Sequence, residues 1–168
     1  ADLIESLVMH GKTALKNVKP EPNSYDVREL FICTHGSRDV CCGKLGFPIY
    51  DAITREYARA SSGRIKVWRV SHTGGHRFAP TLLDFPTGMY WGRLSLEHIA
   101  PLMKHSGDHK EFKGSFRGNS AFGIYEQIAD RELFLREGWR WLSTPRRFET
   151  EYVPLSNEAH SIIAHWKD

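Results

Sequence analysis

Apolar positions along this 168-residue chain alternate between strand-like runs and helical spacing, and glycines and prolines mark the changes. Leu30-Phe31-Ile32 is a short continuous apolar run ending at Cys33, the pattern of a buried strand. Gly36, Gly43 and Gly46 punctuate the loop expected next. Pro48 suits the first turn of a helix whose Ile49, Ala52, Ile53, Tyr57 and Ala60 share one face, and Gly63 ends it. Ile65, Val67, Trp68 and Val70 predict a second strand, which delivers His72 at its end. Residues 81–85 and 89–94 flank Pro86-Thr87-Gly88 as a hairpin. Ser95 caps a short helix reaching Met103, with Pro101 kinking it or shifting its start.

The order strand, helix, strand, hairpin, helix predicts an α/β fold with a mixed sheet, βαβ followed by ββα, as in a thioredoxin-like half-open sheet. The βαβ unit makes its two strands parallel, and the hairpin adds an antiparallel edge. This core is expected over residues 28–105. Before it, residues 1–27 read as an N-terminal helix and linker. Leu3, Ile4, Leu7 and Val8 alternate with Asp2, Glu5, His10 and Lys12 as in a short amphipathic helix, without the cleavage site of a signal peptide. Two prolines and several turn formers follow. After the core, residues 106–168 form an α/β extension packed on it. A helix with Ile124, Tyr125, Ile128 and Leu133 ends at Gly138, and Phe148, Thr150, Tyr152 and Val153 predict a strand. Ser156 is expected to cap a last helix carrying Ala159, Ile162, Ile163 and Trp166.

Composition narrows the class. Hydrophobic residues at 40% and charged residues at 26% suit a folded globular chain, and no apolar run reaches the roughly 20 residues that span a bilayer. A net charge of +3, with basic residues scattered, gives no argument for nucleic acid. Arg146-Arg147 reads most plainly as a solvated loop, with docking of a donor as the sharper alternative. The three cysteines, at 33, 41 and 42, are too few and too close for a disulfide framework. A reducing compartment, cytoplasmic or another, or a metal site, or both, explains them better.

Two segments carry candidate chemistry: Cys33-Thr-His-Gly-Ser-Arg-Asp-Val-Cys41-Cys42-Gly, and His72-Thr-Gly-Gly-His76. Each follows a predicted strand, and the carboxyl ends of parallel strands share one sheet edge, so the two segments are expected to meet. A lone histidine or cysteine is most often a packing or surface residue. Two paired sets at neighbouring strand ends are harder to assign to packing. Gly74-Gly75 argues against a helical zinc-protease motif, which would also need Glu after His72. Paired glycines let a loop turn tightly and expose bare N–H groups to a bulky or anionic ligand. The residue types alone suit structural zinc at least as well as a [2Fe–2S] cluster with two histidine ligands. A thiol redox enzyme lacks its Cys-x-x-Cys.

The segments FICTHGSRDVCCGKLGFPIY and VWRVSHTGGHRFAPTLLDFPTGMYWGRL closely resemble the sucrase/ferredoxin-like family, a branch of the thioredoxin-like ferredoxins. The resemblance covers roughly residues 28–104 and continues more weakly from Phe116 to Gln127. Its fingerprint is Cys, eight residues, Cys, a gap, then His-x-Gly-Gly-His, matched by Cys33, Cys42, His72 and His76. The resemblance implies a thioredoxin-like ferredoxin fold and a [2Fe–2S] cluster, with both cysteines on one iron and both histidines on the other. It selects Cys42 over Cys41. It implies an electron carrier or redox sensor, not itself an enzyme, exchanging electrons with an unidentified redox protein; the charge and the apolar runs described above lead us to expect no nucleic-acid or membrane partner. A free ring nitrogen on a ligand histidine implies proton-coupled reduction. The alternative is a structural Cys2His2 zinc module in a binding or regulatory protein. Asp39, Thr73, Arg77, Thr34 and His35 are candidate supports for the ligands, and Trp68, Tyr90 and Trp91 read as core or interface residues.

Overall fold

The computed structural model describes residues 26–154 and 160–166, with side chains up to Phe148. The expected N-terminal helix and most of the linker lie outside the described residues. Strand β1, Arg28–Cys33, is an interior strand of the sheet, with Leu30, Ile32 and Cys33 buried. It pairs in parallel with β2, Ile65–Val70, and antiparallel with β3, Leu82–Phe85. The hairpin continues into β4, Met89–Trp91, and the sheet order is β2-β1-β3-β4-β5, with β5 at Phe116–Asn119. These strand orders and senses are the predicted thioredoxin-like α/β arrangement, with one added edge strand.

Helix α1, Val40–Ile53, connects β1 to β2 and buries Cys42, Gly46, Ile49 and Ile53. It starts eight residues before Pro48, so the expected glycine loop is largely helix. Close packing accounts for the difference: Gly43 and Gly46 lie against backbone that a side chain would strike. A short 3-10 turn capped by Ser95 leads into α2, Ile99–Lys104, and Pro101 falls within its first turn, where a missing N–H costs nothing.

The tail is joined to the sheet through a buried carboxylate. Asp130 lies on α3, Ile124–Glu137, and is fully buried. Its oxygens accept from Trp141 Nε1 at 2.8 Å, Arg146 Nε at 2.6 Å and the Asn119 backbone N–H at 2.8 Å. Arg146 is therefore a structural partner, and the solvated-loop reading of that residue is corrected. Of the apolar positions read on α3, Leu133 enters the core together with Phe134, whereas Ile124, Tyr125 and Ile128 are exposed. The expected last helix is β7, His160–Trp166, paired antiparallel with β6, Phe148–Pro154. Ile162, Ala164 and Trp166 also fit a period of two, so this short run satisfies either element, and the adjacent strand decides. The capping residue expected for that helix, Ser156, lies outside the described residues.

The core collects around Trp91, whose ring contacts Phe112, Phe116, Phe134 and Trp139 with centroids 4.8–6.4 Å away. On its other side Arg28 fixes β1 to β3 by a fork of hydrogen bonds to the buried Asp84, and donates to the Met103 carbonyl at the end of α2. Among the described residues, no helix is long and apolar enough to cross a membrane.

Candidate metal centre

The parallel register places the candidate ligands. Cys33 is level with Val70, the last residue of β2, so His72 follows two residues beyond the same sheet edge. Cys33 is the final residue of β1, fully buried, and its N–H donates to the Thr81 carbonyl at 3.2 Å. The chain then turns through residues 34–39 and enters α1, with Cys42 N–H donating to the Asp39 carbonyl at 3.0 Å.

Glycine brings α1 onto the strand end. A Cβ at Gly46 would lie 2.1 Å from the Cys33 carbonyl oxygen, and one at Gly43 would lie 2.7 Å from Gly36 Cα. Only bare backbone permits this approach. It sets the buried Cys42 thiol beside Cys33, and both remain free thiols.

His72 completes a compact set. Its Nδ1 lies 3.8 Å from Cys42 Sγ. The ligand atoms of Cys33, Cys42 and His72 all fall within 4.8 Å of one another. His35 supports the loop by accepting the His72 backbone N–H on its Nδ1 at 3.3 Å. Gly74 and Gly75 adopt φ of +85° and +65°, a region that favours glycine, and turn the chain back so that the His76 ring stacks on His72 with centroids 6.0 Å apart.

His76 itself stands outside the three-residue set. Its side chain is 61% exposed, with Nδ1 3.3 Å from Asp39 Oδ2. Asp39 also accepts from Cys41 Sγ at 3.2 Å, so Cys41 faces the loop carboxylate. That carboxylate pushes the Cys41 thiol pKa up. Burial, then the neighbouring Cys33 thiol, pushes Cys42 up to about 12. A cation binding Cys42 as a thiolate displaces that proton.

Two buried sulfurs and an imidazole nitrogen converging on one point are soft and borderline donors, a fit for zinc or for iron–sulfur. The spacing of three atoms within 4.8 Å is that of a site closed around a small centre. His76, exposed on the same loop as His72 and stacked on it, could supply a fourth nitrogen donor beside this set. Of the candidate supports, Asp39 and His35 touch the ligand set, Thr73 pairs its hydroxyl with the buried Thr81 at 3.1 Å, and Arg77 stacks on Phe78. His35 is a candidate support by its nearness in sequence, while the atom it holds, the His72 backbone N–H, depends on how the two loops meet.

The sucrase/ferredoxin-like family matches residues 3–118, and the chain belongs to that family. It is 33% identical over 78 residues to altered inheritance of mitochondria protein 32 of Meyerozyma guilliermondii, covering 42% of this chain and 26% of that protein. The namesake in Debaryomyces hansenii is 30% identical over 79 residues, covering 44% of this chain and 29% of that protein. The chain thus spans little more than a quarter of the curated relatives it matches. Among solved structures it is similar to a thioredoxin-like [2Fe–2S] ferredoxin from Aquifex aeolicus, with a TM-score of 0.46, 11% identity and coverage of 56% of this chain and 94% of that one.

Proposed function

We propose that this member of the sucrase/ferredoxin-like family carries a [2Fe–2S] cluster held by Cys33, Cys42, His72 and His76 and acts as an electron carrier or redox sensor. The observation that carries this reading is the convergence of two buried thiols and His72 within 4.8 Å at the level ends of two parallel strands. Family membership supports iron–sulfur over other metals. Bound there, the cluster would take up and release one electron at a time. Cys33 and Cys42 supply anionic sulfur from the buried side. His72 and His76 supply neutral nitrogen from the exposed side, which leaves the set less negative than four thiolates and favours reduction. A ligand histidine keeps a second ring nitrogen, which would let reduction of a bound cluster be coupled to proton uptake, with a potential expected to fall as pH rises. His35 and Asp39 hold the loop and ring that present these nitrogens.

The site requires Cys42 and not Cys41. Cys42→Ser is expected to abolish bound iron, while Cys41→Ser retains it and the visible spectrum. Iron content in the two purified variants checks this, and loss in Cys41→Ser with retention in Cys42→Ser refutes the ligand set. His76→Cys should keep the cluster and lower its potential by adding a thiolate. A structural Cys2His2 zinc module is the second reading, favoured by the compactness of the three ligand atoms.

A further inference from the structure

The loop bearing His72 and His76 runs directly into a cluster of arginines on Phe78. Arg77 follows His76, Arg93 follows β4 and Arg117 lies in β5, and their guanidinium carbons stand 4.8, 5.2 and 3.9 Å from the Phe78 ring centre. The aromatic face holds all three cations in place. Phe78 is itself held against the site: a Cβ on Gly75 would lie 3.4 Å from its ring, and its carbonyl accepts the Arg93 N–H at 2.7 Å.

Like charges gathered this closely repel one another, and a carboxylate would ordinarily offset them. Among the described residues none of these three arginines has one. The acidic partners found there serve Arg28, Arg55, Lys66, His76, Arg131, Arg136, Arg140 and Arg146 instead. Burial, then the charges of Arg131 and Arg93, lowers the Arg117 pKa, as expected for an unbalanced cluster. Beside it, Arg117, Gln127 and Arg131 line a shallow cavity of about 130 Å³ with Ile124 and Ile128, which are 69% and 54% exposed. Ile124, Gln127, Ile128 and Arg131 share one face of α3 by their spacing.

We propose that the Phe78 arginine cluster and the adjoining Ile124–Ile128 face form the docking surface for a redox protein whose matching face is acidic with apolar spots. The partner's role as electron donor or acceptor rests on the iron–sulfur reading above. Charge complementarity selects the occupant, and the exposed isoleucines select a protein face over a small anion. Residues 1–25 of this chain are a poorer occupant, since their three acidic and three basic residues cancel. The placement suits electron exchange, because the cluster lies on the exposed, histidine-bearing side of the site.

The test uses the full chain and a fluorescent random copolymer of glutamate and tyrosine as the acidic apolar probe, with single-stranded DNA and phosphatidylserine vesicles as competing anions. Binding to the copolymer should weaken with salt, and by about tenfold in Arg93→Gln/Arg117→Gln. Ile124→Glu, an exposed change that spares the arginine stack, should weaken it similarly. Copolymer binding unchanged in both variants, no copolymer binding by the natural chain, or tighter binding to DNA or vesicles overturns the proposal. Metal content and visible spectrum are read on the same samples. A colourless protein that still loses copolymer binding in the variants upholds the acidic docking face and refutes the electron-transfer reading alone.

Discussion

The junction around Asp130 and the edge around Cys33 both bury polar atoms, and they satisfy them in opposite ways. At the junction both Asp130 oxygens accept hydrogen bonds, from a tryptophan, an arginine and a backbone N–H, and Arg146 uses its remaining donors on nearby carbonyls. At the edge, Cys33 and Cys42 are equally buried, yet their sulfurs face each other and His72 at distances too long for strong hydrogen bonds. A saturated polar set fixes the fold, whereas a convergent set with spare lone pairs has donors left over for the ligand proposed above. The comparison separates Arg146, which joins the tail to the sheet, from Arg77, Arg93 and Arg117, which have no described carboxylate.

The largest effect should come from breaking the saturated set. Asp130→Ala strands the buried Arg146 and is expected to cost about 3–5 kcal/mol, lowering the melting temperature by roughly 10 °C. Metal bound per folded chain should not change. Thermal melts with metal analysis below the transition check this, and selective metal loss would erase the distinction between the two regions. Gly46→Ala should come next, at about 1–3 kcal/mol, because the added methyl meets the Cys33 carbonyl and pushes α1 off the strand end. Metal retention should fall with it, and a variant that keeps full metal content would show that the helix approach does not set the thiol pair. His35→Ala should be smallest in stability, about 1 kcal/mol, while weakening metal affinity by roughly 10–100-fold through the freed His72 loop. Competition with a chelator measures that shift.

Much of the sheet was legible because its strands are short apolar runs bounded by turn residues, and the parallel sense of β1 and β2 follows from the βαβ order. That the two candidate segments would meet was legible for the same reason: each begins at or just past the end of one of the two parallel strands. The start of α1 was not, because Gly43 and Gly46 look like loop residues until their close backbone neighbours are known. Ile124 belongs to the apolar positions read on α3 yet is exposed, while Asp130 is fully buried, since burial depends on what the tail folds against. Strand β5 hides in Phe116-Arg117-Gly118-Asn119, whose alternation is carried by one phenylalanine and one glycine. The arginine cluster was illegible for a related reason: its members come from three separate segments and meet only on Phe78.

The central claim is tested most directly by measuring iron and acid-labile sulfide per chain in protein purified without oxygen. About two of each per chain, in a red-brown protein, is the predicted result. A colourless protein with one zinc per chain and no sulfide would contradict it.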